Sequence, residues 1–150
     1  MKRAFTFRLA RVARVREVFE EEARGEFTTA LHELHLCEAR CDQLRQELDQ
    51  GVQAQGNAQL AGTLDIKALL ARERSLETLQ RTLVQARQVA AQARAQAEER
   101  RAIWQTRRGE WQALVELSDR HKQRHMEQVN RAENAESDEV ATQRFSHPRS

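Results

Sequence analysis

From residue 76 to residue 104 the sequence keeps one stripe of side chains in phase. Leu76, Leu79, Leu83, Ala86, Ala90, Ala93, Ala97, Arg100 and Trp104 follow one another at spacings of three and four. That alternation is the heptad period, which holds one face of an α-helix against a partner helix and leaves few folds open to the chain. The phase continues through Arg107, Trp111, Leu114, Ser118, His121, His125, Gln128 and Ala132. Its chemistry changes on the way, from leucine to alanine, then to tryptophan among arginines, then to polar side chains. Leucine and alanine seal a seam unaided, and the later positions do not. The expectation is a helix that outruns its packing partner and offers its far end to something else.

Composition separates this reading from its competitors. Charged residues make up 32% of the 150, aromatics 5%, and tyrosine is absent, which argues against a compact globule. High charge with few aromatics also marks disordered chains, but a disordered chain has no reason to keep an apolar stripe in phase. The net charge of +2 is too small to imply a nucleic-acid partner. Its distribution is uneven: Lys2, Arg3, Arg8, Arg11, Arg14 and Arg16 precede the first acid, Glu17. Basic and apolar residues interleave there at helical spacing, which favours a solvated helix face over contact with an anionic membrane or an acidic protein surface. No run approaches the ~20 apolar residues of a membrane span. The N-terminal charges lack the apolar core of a signal peptide, and two cysteines without a secretory signal predict a cytoplasmic protein with reduced thiols.

Taken in order, Phe5, Leu9, Val12 and Val15 open a first helix, and Phe19, Ala23 and Phe27 continue it in steps of four, the mark of a stutter. Ala30, Leu34, Cys37, Cys41, Leu44 and Leu48 restore the regular phase. From 49 to 63 the pattern stops, and Gly51, Gly56 and Gly62 among Gln, Asn and Ala read as a polar connector. Thr63 or Asp65 then caps a second helix whose apolar stripe begins at Leu64. The predicted organisation is a single coiled-coil unit over 1–150: helix 5–48, connector 49–63, helix 64–145 and a frayed tail 146–150. The fold class is all-α, a long antiparallel two-helix coiled-coil hairpin with the second helix longer than the first. Folding at that connector pairs Leu48 with Leu64, Phe19 with Ala93, Phe27 with Ala86, Val15 with Ala97 and Ala30 with Leu83. Large side chains then meet small ones along the seam. Phe5 reaches Arg107, and the second helix beyond has no partner within the chain.

Candidate chemistry is sparse. Cys37 and Cys41 lie four apart with His32 and His35 nearby, but both occupy the seam, where free cysteine packs as a small hydrophobe. His121 and His125 have the spacing of two zinc ligands without an intervening Glu or a third ligand, and they read as polar seam residues. There is no phosphate loop, nucleophile elbow or cleft carboxylate pair, so no catalytic, cofactor-binding or metal residues are assigned and no enzyme is expected. Trp104 is placed as a cap over Leu9 and Phe5, whereas Trp111 serves either as a cap or as a partner anchor. The partner-binding candidates are Arg107, Arg108, Trp111, Leu114, Val115, Leu117, Arg120, Arg124, Glu133, Asp138 and Glu139. The apolar members form an exposed cluster on the overhang, and the arginines add attraction to an acidic surface.

Both ends of the chain carry more specific patterns. The start reads Phe5-x-Phe7-x-Leu9, Val12, Val15-Arg16-Glu17 and the cluster Glu20 to Glu22. The end reads Arg131-x-Glu133, Asp138-Glu139-x-Ala141 and Arg144, with Trp104, Leu114, Leu117 and Arg120 along the second helix. In these residues the chain resembles the flagellar export family FliJ. Ser137 departs from the pattern, standing where the family has an apolar residue. The resemblance implies a non-enzymatic component of the flagellar type III export apparatus, without cofactors. It implies a stalk that inserts into and stimulates the hexameric export ATPase (FliI) and contacts the export gate membrane protein (FlhA). It also implies dealings with export chaperones, and a location at the cytoplasmic side of the cell membrane. The alternatives are the equivalent stalk of a virulence type III secretion system and a scaffold coiled coil that dimerises along the overhang.

Overall fold

The computed structural model describes residues 4–60, 62 and 65–146. Two helices account for nearly all of them: α1, Ala10–Leu60, of 51 residues, and α2, Ile66–Ser146, of 81 residues. No strand occurs among the described residues. The all-α class and the longer second helix are as expected. The boundaries differ: α1 begins at Ala10 rather than at 5 and runs twelve residues past 48, to Leu60, so most of the expected connector is helix. The expected tail lies outside the described residues except for Ser146, the last residue of α2.

The extension of α1 has a local cause. Past Leu48, Gly51, Gln55 and Ala58 continue the heptad spacing, but with side chains too small or too polar to register as a stripe. Gly51 lies on the seam itself, where a Cβ atom would come within 2.7 Å of Leu76 Cδ2. The helices approach closely there because a side chain is missing. Two helical glycines cost about 1 kcal/mol each against alanine, and packing against α2 offsets the cost. The chain turns instead at Gly62, whose φ of 75° is the left-handed conformation that ends helices, and whose N–H donates to the Gln59 carbonyl at 3.3 Å. Asp65 caps α2 as expected: its Oδ1 accepts from the Lys67 N–H at 3.1 Å.

Contacts divide the chain into two units, one comprising Glu22–Trp104 and the other the chain up to Glu21 together with everything from Gln105 on. The first is a helical hairpin with an apolar seam. Leu44 is 1% exposed, and Leu34, Leu83, Ala23, Ala30, Ala90 and Ala97 are buried with it. Cys37 and Cys41 are half-buried free thiols on the same seam, whereas His32 and His35 are exposed. The seam phase expected from Ala23 to Leu48 and from Leu76 to Arg100 therefore holds, but its register does not. Phe27, expected against Ala86, stacks on Trp104 with centroids 5.7 Å apart and planes 6° from parallel. Trp104, expected as a cap at the end of the hairpin core, thus packs on Phe27. The alanines take Leu31 and Leu34 as neighbours: Ala30, Leu34 and Ala97 form one cluster, flanked by Leu31 and Ala93. Arg94 to Glu38 at 3.1 Å and Arg100 to Glu26 at 2.9 Å bridge the helices at the surface. The later turn, at Gly62 rather than midway along the expected connector, moves every cross-helix partner toward the C-terminus of α2.

Candidate functional site

In the other unit α1 and α2 also run antiparallel, and the seam changes character. The strict heptad continues back from Ala23 through Glu20, Arg16 and Ala13 to Leu9, all buried or half-buried. Val12, Val15 and Phe19, expected on the seam, are instead 43%, 50% and 39% exposed. There is no stutter. The apolar steps of four from Phe19 through Ala23 to Phe27 suggest one, but charged residues, Arg16 and Glu20, occupy the positions that face α2.

Those charges are satisfied. Arg16 Nη1 donates to Glu110 Oε2 at 2.6 Å, and Arg107 approaches the same oxygen at 3.8 Å. The Arg107 guanidinium also lies over the Phe19 ring, 5.2 Å from its centroid, a cation–π contact in place of the expected Phe19–Ala93 packing. Glu20 is only 4% exposed, and no buried side-chain nitrogen or oxygen among the described residues lacks a hydrogen-bond partner. A polar layer of this kind contributes little net stability, but it penalises any slip that would leave a buried charge without its partner.

Ahead of α1, residues 4–9 are not helical yet still reach α2. Phe7 meets His121 edge-on with centroids 5.6 Å apart, and Phe5 meets His125 at 5.8 Å. Phe5 therefore lies well past Arg107, its expected neighbour, and the two histidines face phenylalanines rather than an unpaired overhang. Arg107, Trp111, Leu114 and Leu117 are half-buried by this packing. Val115 is 38% exposed, and Arg108, Arg120 and Arg124 are exposed. Farther on, every described residue from 131 to 145 is exposed, including Glu133, Asp138 and Glu139, with Val140 at 49% and Phe145 at 91%. The partner-binding candidates thus fall into two groups: a half-buried set around Trp111, and an exposed set that extends to the end of α2. Arg16, Glu20 and Glu110 were missed, and stepping the heptad back from Leu34 without regard to polarity would have found the first two.

No group of three His, Cys, Asp or Glu side chains among the described residues is placed to hold a metal ion. None of the described helices is long and apolar enough to cross a membrane. The fold defines an antiparallel two-helix coiled coil that offers its chemistry on helix faces, with one apolar unit and one polar unit. The model of the flagellar FliJ protein family matches residues 5–150, and the chain belongs to that family, a component of the flagellar protein export apparatus. Searches of curated proteins and of solved structures return no match.

Proposed function

We propose that the chain is a non-enzymatic stalk of the flagellar type III export apparatus, inserting into the hexameric export ATPase and stimulating it. In this reading it also links the ATPase to the export gate and to export chaperones, at the cytoplasmic side of the cell membrane. The observation that supports it, alongside family membership, is the end of α2. From 131 to 145 a helix persists with every residue exposed and with Val140 and Phe145 open to solvent. A helix without tertiary contacts is marginal in water, so a partner that covers it is the natural source of its stability. A narrow ring lumen would supply such cover on all sides.

Arg108, Val115, Arg120 and Arg124 extend the exposed surface toward Trp111 and add salt-sensitive attraction to an acidic lumen. Glu133, Asp138 and Glu139 would meet basic groups farther in. The test is capture of the purified export ATPase, and its turnover, with the chain and with an Arg120→Glu, Arg124→Glu variant. The wild-type chain should raise ATP hydrolysis without hydrolysing ATP itself. The variant should bind several-fold more weakly with an unchanged circular dichroism spectrum. ATP hydrolysis by the chain alone, or an ATPase indifferent to it, contradicts the proposal.

A further inference from the structure

The side of α1 turned away from α2 carries a second stripe. Val12, Val15, Val18 and Phe19 are 43%, 50%, 49% and 39% exposed, although Ala13, Arg16 and Glu20 beside them face the seam. At 3.6 residues per turn, Val15 and Val18 project away from that seam in one row with the exposed Arg11 and Glu22, which a two-fold axis between the valines sets against each other. Val12 and Phe19 lie on one flank with Arg14 and Glu21 on the other. Arg14 and Glu21 are also exposed. The Arg107 guanidinium covers one face of the Phe19 ring and fixes its position.

This stripe is complementary to itself. Let a second copy be laid antiparallel on the first about a two-fold axis between Val15 and Val18. Val15 then meets Val18 of the second copy, and Val18 meets Val15, the pairing that antiparallel heptads require. On the flanks Val12 runs along Phe19 of the second copy and Arg14 along Glu21, and symmetry supplies each contact twice. An anionic surface would attract Arg14 but repel Glu21, so it matches only half of the pattern. We propose that α1 docks on α1 of a second copy, antiparallel, through residues 12–21. The contact is short and sits at the weak, transient end of protein interfaces, so the dimer dissociates on dilution. The inference does not depend on the export-ATPase reading, which a reversible dimer leaves intact.

Sedimentation velocity on the full chain over a rising concentration series tests it. The wild type should show a reversible monomer–dimer equilibrium. Arg14→Glu and Glu21→Arg, each creating two like-charge contacts, should weaken it roughly tenfold. The double variant Arg14→Glu, Glu21→Arg should restore it, and Val15→Asp should abolish it. All of these positions are exposed, so helicity by circular dichroism should not change. A chain that stays monomeric throughout, a dimer indifferent to the single swaps, or a double variant as weak as the singles would overturn the proposal. So would capture of a monomeric wild type by anionic phospholipid vesicles that Val15→Asp prevents, which would assign the stripe to a membrane surface.

Discussion

The hairpin of Glu22–Trp104 and the unit built from the two ends of the chain share the same two helices and one unbroken heptad phase, yet differ in what that phase presents. In the hairpin the seam is Leu44, Leu83 and a run of alanines. In the other unit it is Arg16, buried Glu20, Arg107 and Glu110, with Phe5 and Phe7 set against histidines. Periodicity alone decides where a helix faces its partner, and side-chain chemistry decides what the contact does. The apolar seam supplies stability. The charged seam supplies register, and it leaves apolar residues such as Val15 and Val18 facing outward.

The comparison breaks first at the apolar seam. Leu44→Asp or Leu83→Asp buries an unpaired carboxylate and removes a packed side chain, at a cost of about 4 kcal/mol or more. Thermal melts followed by circular dichroism should show helicity collapsing well below the wild-type midpoint. Gln80→Asp, on an exposed position, should melt like the wild type. A near-equal melt for all three would mean that the buried leucines do not hold the hairpin together. Next in size is Phe27→Ala, which strips the stacked partner from Trp104. Both rings are only partly buried, so the loss should be about 2 kcal/mol, with a red shift in tryptophan fluorescence.

Much of the hairpin was legible because its seam is written in leucine and alanine, where polarity and periodicity agree. The phase from Leu76 to Arg100 needed only spacing. Two features hid the rest. Gly51 and Gly56 look like a break, yet α1 passes through both, and at Gly51 the missing side chain is what lets Leu76 approach. An error in the turn then moved every cross-helix pair, so that Phe19 was sought at residue 93 and is found at 107. In the other unit Val12, Val15 and Phe19 outranked Ala13, Arg16 and Glu20 because reading by polarity assigns the apolar residues to the core. The ion pairs that reverse that assignment join residues far apart in the chain.

Smaller substitutions sharpen the contrast. Gly25→Ala should stabilise the hairpin by about 0.5–1 kcal/mol, since a Cβ there meets no atom within 4 Å and alanine is the better helix former. A urea midpoint shifted upward at constant slope is the readout. Arg16→Ala should cost only about 0.5 kcal/mol, because the side chains of Arg16 and Glu110 are 37% and 38% exposed and solvent screens the pair. A loss of several kcal/mol there would make the polar seam a source of stability after all and erase the distinction between the units.

Amide hydrogen exchange on the full chain, alone and with the export ATPase, addresses both halves of the account at once. Amides around Leu44 and Leu83 should exchange slowly in either state. Those of 131–145, exposed throughout in the free chain, should exchange fast alone and gain strong protection when the ATPase is added. Strong protection of 131–145 in the free chain, or none gained on adding the ATPase, would contradict the division into a stable apolar hairpin and an exposed end that the ATPase is proposed to cover.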